Sequence, residues 1–132
     1  MPQRTTAEVI DRFNHAFVHH APEVLDDLIA EDCVMEAIQP APDGERVEGR
    51  QECLAFWRAL ADDRTTQFGP EDVWVDGDRA TILWRYRFGD GPEDSVRGVN
   101  LMRVRDGRIV EALGYSKTGA SVPLATDSEA RA

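Results

Sequence analysis

A chain of 132 residues predicts one domain, which is long enough to bury a core and too short to divide into two. Its 25 acidic and 15 basic residues give a formal charge of −10, which opposes binding to nucleic acid or to an anionic membrane surface. The N-terminus lacks the apolar core of a signal peptide, and no apolar run is long enough to cross a bilayer. We therefore expect a cytoplasmic protein.

The N-terminal half carries three predicted helices and one strand. A capping box of Thr5 and Glu8 opens a first helix over residues 6–20, and Pro22 opens a second helix. The segment CVMEAIQ (33–39) alternates like a strand, and the Pro- and Gly-rich segment after it is predicted to be a loop. A third helix then presents one apolar face, made of Cys53, Leu54, Trp57 and Leu60.

The C-terminal half changes to strand patterns. The stretch DVWVDGDRATILWRYRF predicts two strands around an Asp-Gly-Asp turn, and residues 98–117 predict two more around a second Asp-Gly turn. Residues 118–132 are small and polar without periodicity, so we expect a flexible tail after a single domain at residues 1–117. This order predicts an α+β domain, with three N-terminal helices packed in the concave face of a strongly curved, mostly antiparallel sheet that forms a cone-shaped α+β barrel.

Four segments carry a family resemblance through their order and spacing: AEVIDRFNHAF, LIAEDCVMEAIQP, VEGRQECLAFWRAL and NLMRVRDGRIVEALGYSK. Together they resemble the nuclear-transport-factor-2-like superfamily, in particular its SnoaL-like and ketosteroid-isomerase-like small proteins, over residues 6–117. The resemblance implies the cone-shaped fold. The superfamily contains isomerases, cyclases, dehydratases, epoxide hydrolases and binding proteins, so its chemistry has to be judged at individual residues.

The resemblance places mostly apolar residues where ketosteroid isomerases carry their polar apparatus. The general-base aspartate falls on Ala37, the oxyanion tyrosine on Phe13 and the protonated aspartate on Asn100. Supporting tyrosines fall on Trp57 and near Ile29. Because only Asn100 keeps a donor, the resemblance does not predict steroid isomerisation by the family mechanism.

Two further groups of relatives fail the same test. SnoaL-like cyclases use an acid on the last strand, where this chain has Gly114. Limonene-type epoxide hydrolases use an Arg-x-Asp, which is matched here by Arg85-Tyr86-Arg87, and an aspartate that again falls on Gly114. The arginine is therefore present and both acids are missing.

Strand alternation indicates which side chains face the hollow. On the strand ATILWRYRF, the aromatic face with Trp84 and Tyr86 belongs inside. On the next strand, Asn100 and Met102 share a face opposite the arginines, and burying the arginines would be costly. We therefore expect Asn100 and Met102 to point inward.

The turn at Asp106-Gly107 decides the parity of the last strand. A two-residue turn would place Glu111 and Leu113 beside Asn100. A three-residue turn with Gly107 as a bulge would bring a different set to the hollow, namely Val110, Ala112, Gly114 and Ser116. The resemblance favours the three-residue turn, which would line the hollow with small side chains.

Three residues are candidates for catalysis: Asn100 as a hydrogen-bond donor or acceptor in the pocket, Tyr86 as a hydroxyl donor to a developing oxyanion, and Glu36 as a general base. Alternation turns Glu36 away from the hollow, so its role would require a one-residue shift in register. The candidate ligand-binding residues are Phe13, Phe17, Met35, Ala37, Gln39, Trp57, Trp84, Met102, Ala112 and Gly114. The alternative is that these aromatic residues are ordinary core and that neighbouring backbone satisfies the amide of Asn100.

No cofactor or metal site is predicted. His15 and His19 have the helical spacing of a metal-binding pair, but no third ligand accompanies them. Cys33 and Cys53 do not have the spacing of a metal site or of a disulfide framework, so we expect buried reduced thiols.

With the favoured turn, an apolar set faces outward from the sheet, namely Leu83, Val99, Leu101, Leu113 and Tyr115. An apolar patch of this kind should not stay exposed on a soluble domain, so it predicts a homodimer interface.

These observations predict a homodimer with an apolar, aromatic-lined pocket for a hydrophobic small molecule. The resemblance implies an isomerase, cyclase or dehydratase step on a polyketide- or steroid-like substrate, by a mechanism that differs from that of ketosteroid isomerase. The alternative is a non-catalytic ligand-binding or protein-interaction module of the same fold. A titratable side chain that points into the pocket would favour the enzyme.

Overall fold

The computed structural model describes residues 3–117, so the predicted tail at 118–132 lies outside the described residues. The chain begins with helix α1 (Thr6–Val18), a 3₁₀ helix (Pro22–Asp27) and strand β1 (Ile29–Glu36). Strand β2 (Arg46–Glu48) and helix α2 (Arg50–Asp62) follow. The remaining elements are all strands, namely β3 (Gln67–Asp76), β4 (Arg79–Arg87), β5 (Ser95–Arg105) and β6 (Arg108–Ser116).

The six strands form one sheet in the order β2-β1-β6-β5-β4-β3. All neighbours are antiparallel except β1 and β6, which run parallel. The sheet is curved and does not close, and the helices precede most of the strands. The predicted α+β fold with a mostly antiparallel sheet is therefore confirmed.

The helices cover the concave face of the sheet with apolar stripes at the predicted spacing. Helix α1 buries Val9, Ile10, Phe13 and Phe17, and helix α2 buries Cys53 and Trp57. The sheet meets them with its own buried side chains, among them Met35, Ile82, Trp84, Met102 and Ala112. The core thus lies between the helices and the concave face of the sheet.

The N-terminus of α1 shows the predicted capping box. The Thr5 hydroxyl accepts a hydrogen bond from the Glu8 backbone N–H at 3.1 Å, and the Glu8 carboxylate accepts one from the Thr5 backbone N–H at 2.8 Å. The helix ends at Val18, two residues before the predicted end, and His20 follows with a positive φ of 52°. A β-carbon makes this left-handed conformation unfavourable within a helix, so the chain turns there.

Two N-terminal predictions differ from the structure. The second helix is a single 3₁₀ segment of six residues rather than an α-helix. Strand β1 begins at Ile29 instead of residue 33, and the segment predicted to be a loop contains β2. Val47 pairs with Met35, so β2 forms by pairing with β1 rather than through a strand pattern of its own.

The turn between β5 and β6 combines features of both predicted alternatives. Arg105 pairs with Arg108, and the two residues between them, Asp106 and Gly107, have φ values of 54° and 74°. This is a two-residue turn, so the favoured three-residue turn is wrong. The register then shifts by one residue: Val104 pairs with Ile109, but Arg103 pairs with Glu111, so Val110 is the extra residue on β6. A bulge within the strand thus produces the parity that had been attributed to the turn.

Candidate functional site

A cavity of about 360 Å³ lies between the two α-helices and the concave face of the sheet. Nine of the predicted ligand-binding residues line it: Phe13, Phe17, Met35, Ala37, Gln39, Trp57, Trp84, Ala112 and Gly114. The three candidate catalytic residues, Glu36, Tyr86 and Asn100, line it as well. Met102 does not line the cavity and is buried in the hydrophobic core instead, so its predicted ligand-binding role is wrong.

The cavity also uses residues that the sequence reasoning did not select. They are Ile38, Phe56, Leu60, Phe68, Phe88 and Val96. Leu60 belongs to the predicted apolar face of the third helix, and Phe88 continues the inward parity of Trp84 and Tyr86. Helical and strand periodicity could therefore have found these two. Phe56 and Val96 gave no separate signal.

Asn100 is a polar side chain at the sheet wall of the cavity. It lies on β5 opposite Gly114 of β6, and its neighbour on β4 is Ile82. The indole N–H of Trp84 donates a hydrogen bond of 3.1 Å to the Asn100 Oδ1 atom. An indole nitrogen can only donate, so this contact identifies the oxygen end of the carboxamide. Among the described residues, the Asn100 amide nitrogen has no hydrogen-bond partner.

Two glycines create the space around this pair. A Cβ at Gly98 would lie 2.5 Å from the Trp84 ring, so the indole lies where a side chain of β5 would otherwise be. A Cβ at Gly114 would lie 3.0 Å from Ile38 and 3.4 Å from Asn100 Oδ1. The small residue at 114 therefore keeps this part of the cavity open.

The Tyr86 hydroxyl is already hydrogen-bonded within the protein. It lies 2.7 Å from Thr66 Oγ1, and the Thr66 hydroxyl donates to the backbone carbonyl of Asp63 at 3.3 Å. Either hydroxyl can donate in the contact between Tyr86 and Thr66, so the Tyr86 hydroxyl has a partner within the protein in both cases. Burial raises the pKa of the Tyr86 phenol, with the Thr66 hydrogen bond acting in the opposite direction. The oxyanion role of Tyr86 stays a prediction, since its hydroxyl is hydrogen-bonded to Thr66.

Glu36 is also engaged. Its carboxylate forms a 3.2 Å ion pair with Arg46 on β2, and the same guanidinium binds Glu48 at 2.8 Å. The Glu36 side chain is 29% exposed. The ion pair engages the carboxylate at the end of β1, and the role of Glu36 as a base stays a prediction.

In the described part of the chain, no three His, Cys, Asp or Glu side chains lie close enough together to hold a metal ion. The two cysteines are buried and unlinked, as predicted. The Cys53 thiol donates to the backbone carbonyls of Val47 and Cys33, at 3.5 and 3.6 Å. Burial raises the pKa of both thiols, so they remain protonated and unreactive.

A curved sheet that wraps around N-terminal helices and encloses an apolar cavity defines the nuclear-transport-factor-2-like class of proteins. Within this class, the model of the SnoaL-like domain matches residues 10–112. The chain belongs to this family. No helix within residues 3–117 has the length and hydropathy of a membrane span.

Solved structures agree with this assignment. An NTF2-like protein of unknown function from Mesorhizobium loti is 57% identical, with a TM-score of 0.81 over 86% of this chain and 91% of the other. A candidate ketosteroid isomerase from Kribbella flavida is 22% identical, with a TM-score of 0.72 over 93% and 85%. An LEH-like epoxide hydrolase from M. tuberculosis is 17% identical, with a TM-score of 0.68 over 89% and 83%. The last two share the fold with this chain. A comparison with curated protein sequences finds no significant match.

Proposed function

We propose that the protein binds a hydrophobic small molecule in the cavity between its helices and its sheet. The observation that carries this proposal is the cavity itself, which is about 360 Å³ in volume and is lined mainly by aromatic and aliphatic side chains. A packed core would leave no space of this size, because protein interiors rarely contain voids larger than a water molecule. At the usual interior packing density of about 0.75, the cavity holds about 270 Å³ of ligand atoms. This volume suits a fused-ring molecule.

An isomerase, cyclase or dehydratase step in this cavity would require a proton carrier. Glu36 is the one carboxylate among the lining residues, and it would first have to leave Arg46. The Tyr86 hydroxyl is bound to Thr66, and the remaining lining side chains do not titrate near neutral pH. The geometry therefore supports ligand binding better than acid–base turnover.

The test is equilibrium dialysis of fluorene, an apolar tricyclic molecule, against the full chain and two matched variants. Ala112→Leu extends a side chain into the cavity, because Ala112 is 3% exposed and lines the wall. Displacing about two methylene contacts from the ligand, at about 0.8 kcal/mol each, should weaken binding roughly ten-fold. Ala59→Leu makes the same change on the exposed face of α2 and should leave the affinity unchanged. Equal affinities of the two variants, or the absence of fluorene binding to the unmodified chain, would contradict the proposal.

A further inference from the structure

We propose that Trp84 makes the cavity selective for neutral ligands that carry a hydrogen-bond acceptor, such as a ketone, ester or ether oxygen. The indole does so by occupying the carbonyl oxygen of Asn100, so that the carboxamide presents its N–H groups to the ligand. This inference rests on the proposed ligand binding and adds the chemical class of the ligand. Trp84 acts here as a specificity-determining residue.

The first step concerns the two ends of the carboxamide. A free asparagine can rotate to offer either its carbonyl oxygen or its amino group, so it can serve a ligand donor or a ligand acceptor. In this protein the oxygen accepts the Trp84 N–H at 3.1 Å, and the nitrogen has no partner among the described residues. Rotating the carboxamide would place its N–H groups against the indole N–H and would leave a buried donor unpaired. The cost of such an unpaired group holds the carboxamide in one orientation.

The second step concerns the indole itself. Trp84 is 4% exposed, and its ring occupies the space above Gly98. Its ring also packs near Phe68, with centroids 6.3 Å apart. The ring is thus confined on two sides, so its N–H keeps its direction toward Asn100 when a ligand enters. The Asn100 carboxamide, which lines the cavity, is therefore held in one orientation before a ligand binds.

The third step concerns the other polar groups of the wall. The Tyr86 hydroxyl is hydrogen-bonded to Thr66, and the Glu36 carboxylate is paired with Arg46. Gln39 is exposed. The enclosed wall thus offers a ligand the amino group of Asn100 as its preorganised donor. A ligand that could only donate would face this amino group without an acceptor for its proton.

The fourth step concerns charge. Two loops begin at cavity-lining residues, at 37–45 and at 88–94, and every ionisable side chain within them is acidic. These are Asp43, Glu45, Asp90, Glu93 and Asp94. Arginine and lysine are not among the lining residues. An anionic ligand would therefore meet repulsion from these loops and would find no cation inside. Burial of a charge of either sign against the mainly apolar wall would also be costly, so the ligand is neutral.

The experiment compares three rigid tricyclic ligands of nearly the same shape by equilibrium dialysis. Fluorene has no polar group, 9-fluorenone carries a ketone acceptor, and carbazole carries an N–H donor. The unmodified chain should bind fluorenone about five-fold tighter than carbazole, since one net hydrogen bond separates the two. Ratios of affinity are compared between variants, so that differences in ligand hydrophobicity cancel.

Trp84→Phe removes the indole N–H and keeps an aromatic ring, which frees the carboxamide to rotate. The fluorenone-to-carbazole ratio should then fall toward one. Trp57→Phe is the matched control, because Trp57 lines the same cavity without a hydrogen bond to Asn100. It should change all three affinities alike and keep the ratio. Asn100→Leu is a second variant, which should also abolish the preference for fluorenone.

Three results have distinct meanings. The role of Trp84 would be overturned by an unchanged affinity ratio in folded Trp84→Phe. It would also be overturned by equal binding of fluorenone and carbazole to the unmodified chain. In both cases, fluorene binding would still support the cavity as a ligand site. Failure of all three ligands to bind would overturn the proposed function and this inference together. If Trp84→Phe does not fold, the Asn100→Leu ratio decides, and a retained preference for fluorenone would overturn the inference.

Discussion

Gly98 of β5 lies directly beneath the indole of Trp84 on β4, and the two residues are paired across the strands. A Cβ at position 98 would lie 2.5 Å from the Trp84 ring and would also overlap the backbone carbonyl oxygen of Tyr115. The absence of a side chain at 98 therefore sets the position of the indole, and through it the orientation of Asn100.

We expect Gly98→Ala to destabilise the protein, because both the indole and the β6 backbone would have to move. Overpacking of this kind costs about 1–3 kcal/mol, which urea unfolding measures. Gly69→Ala is the matched control on β3, since a Cβ there would make only an ordinary contact of 3.5 Å with a carbonyl oxygen. A Gly98→Ala variant as stable as Gly69→Ala would show that the indole does not depend on this close approach.

The Tyr86 phenol should ionise above its ordinary pKa of about 10, because burial disfavours the phenolate. The folded state then holds the proton to higher pH than the unfolded state. The resulting stability is present in full below the unfolded pKa and is lost as pH rises through the folded pKa. An alkaline absorbance titration of Tyr115→Phe, which leaves Tyr86 as the one remaining tyrosine of two, measures this pKa.

Thr66→Val should raise the Tyr86 pKa further, because the Thr66 hydroxyl can donate a hydrogen bond to the phenolate and so lowers this pKa. Thr65→Val is the control, because the Thr65 hydroxyl binds Asp63 and not Tyr86. If Thr66→Val and Thr65→Val gave the same titration curve, Thr66 would not be the partner of the phenol.

The outer face of the sheet is expected to form a homodimer interface. Leu101 and Tyr115 are 42% and 54% exposed there, and Val99 on β5 pairs directly with Tyr115 on β6. Nearby, Glu71 pairs with both Arg85 and Arg97, which reduces the net charge of this face. Light scattering at micromolar concentration should give about twice the chain mass of 14.8 kDa.

Leu101→Glu should convert this dimer to a monomer, because it would bury a charge at the interface. Val75→Glu is the control, since Val75 is similarly exposed at 44% but pairs with the inward-facing Ala80. A monomer mass for the unmodified chain would contradict the interface.

The capping box should contribute to stability through two groups. Thr5→Ala removes the hydroxyl that binds the Glu8 N–H and should cost about 1 kcal/mol in the free energy of unfolding.

The Thr5 backbone N–H lowers the pKa of Glu8, so the carboxylate stabilises the fold above its unfolded pKa. That contribution is lost as pH falls through the lower folded pKa. Acid titration of Glu8→Gln should lack this component, and an unchanged acid profile would argue against the cap.

Local patterns were sufficient for most of the fold. The capping box, the apolar stripe of α1 and the alternation on β4 and β5 each depend on residues close in sequence, and all appear in the structure. The errors came where distant parts of the chain decide. Strand β2 forms through its pairing with β1. The parity of β6 is set by a bulge within the strand, whereas the sequence had suggested that the turn before it sets this parity.

The sequence by itself determined that Asn100 and Trp84 share a face with the other aromatic side chains, because side chains alternate along a strand. Only the tertiary structure decided which atoms of these groups meet. Trp84 and Asn100 lie 16 residues apart, and their hydrogen bond depends on the register of β4 and β5 and on the space above Gly98. Hydrogen bonds require defined distances and angles, and side-chain periodicity alone specifies neither.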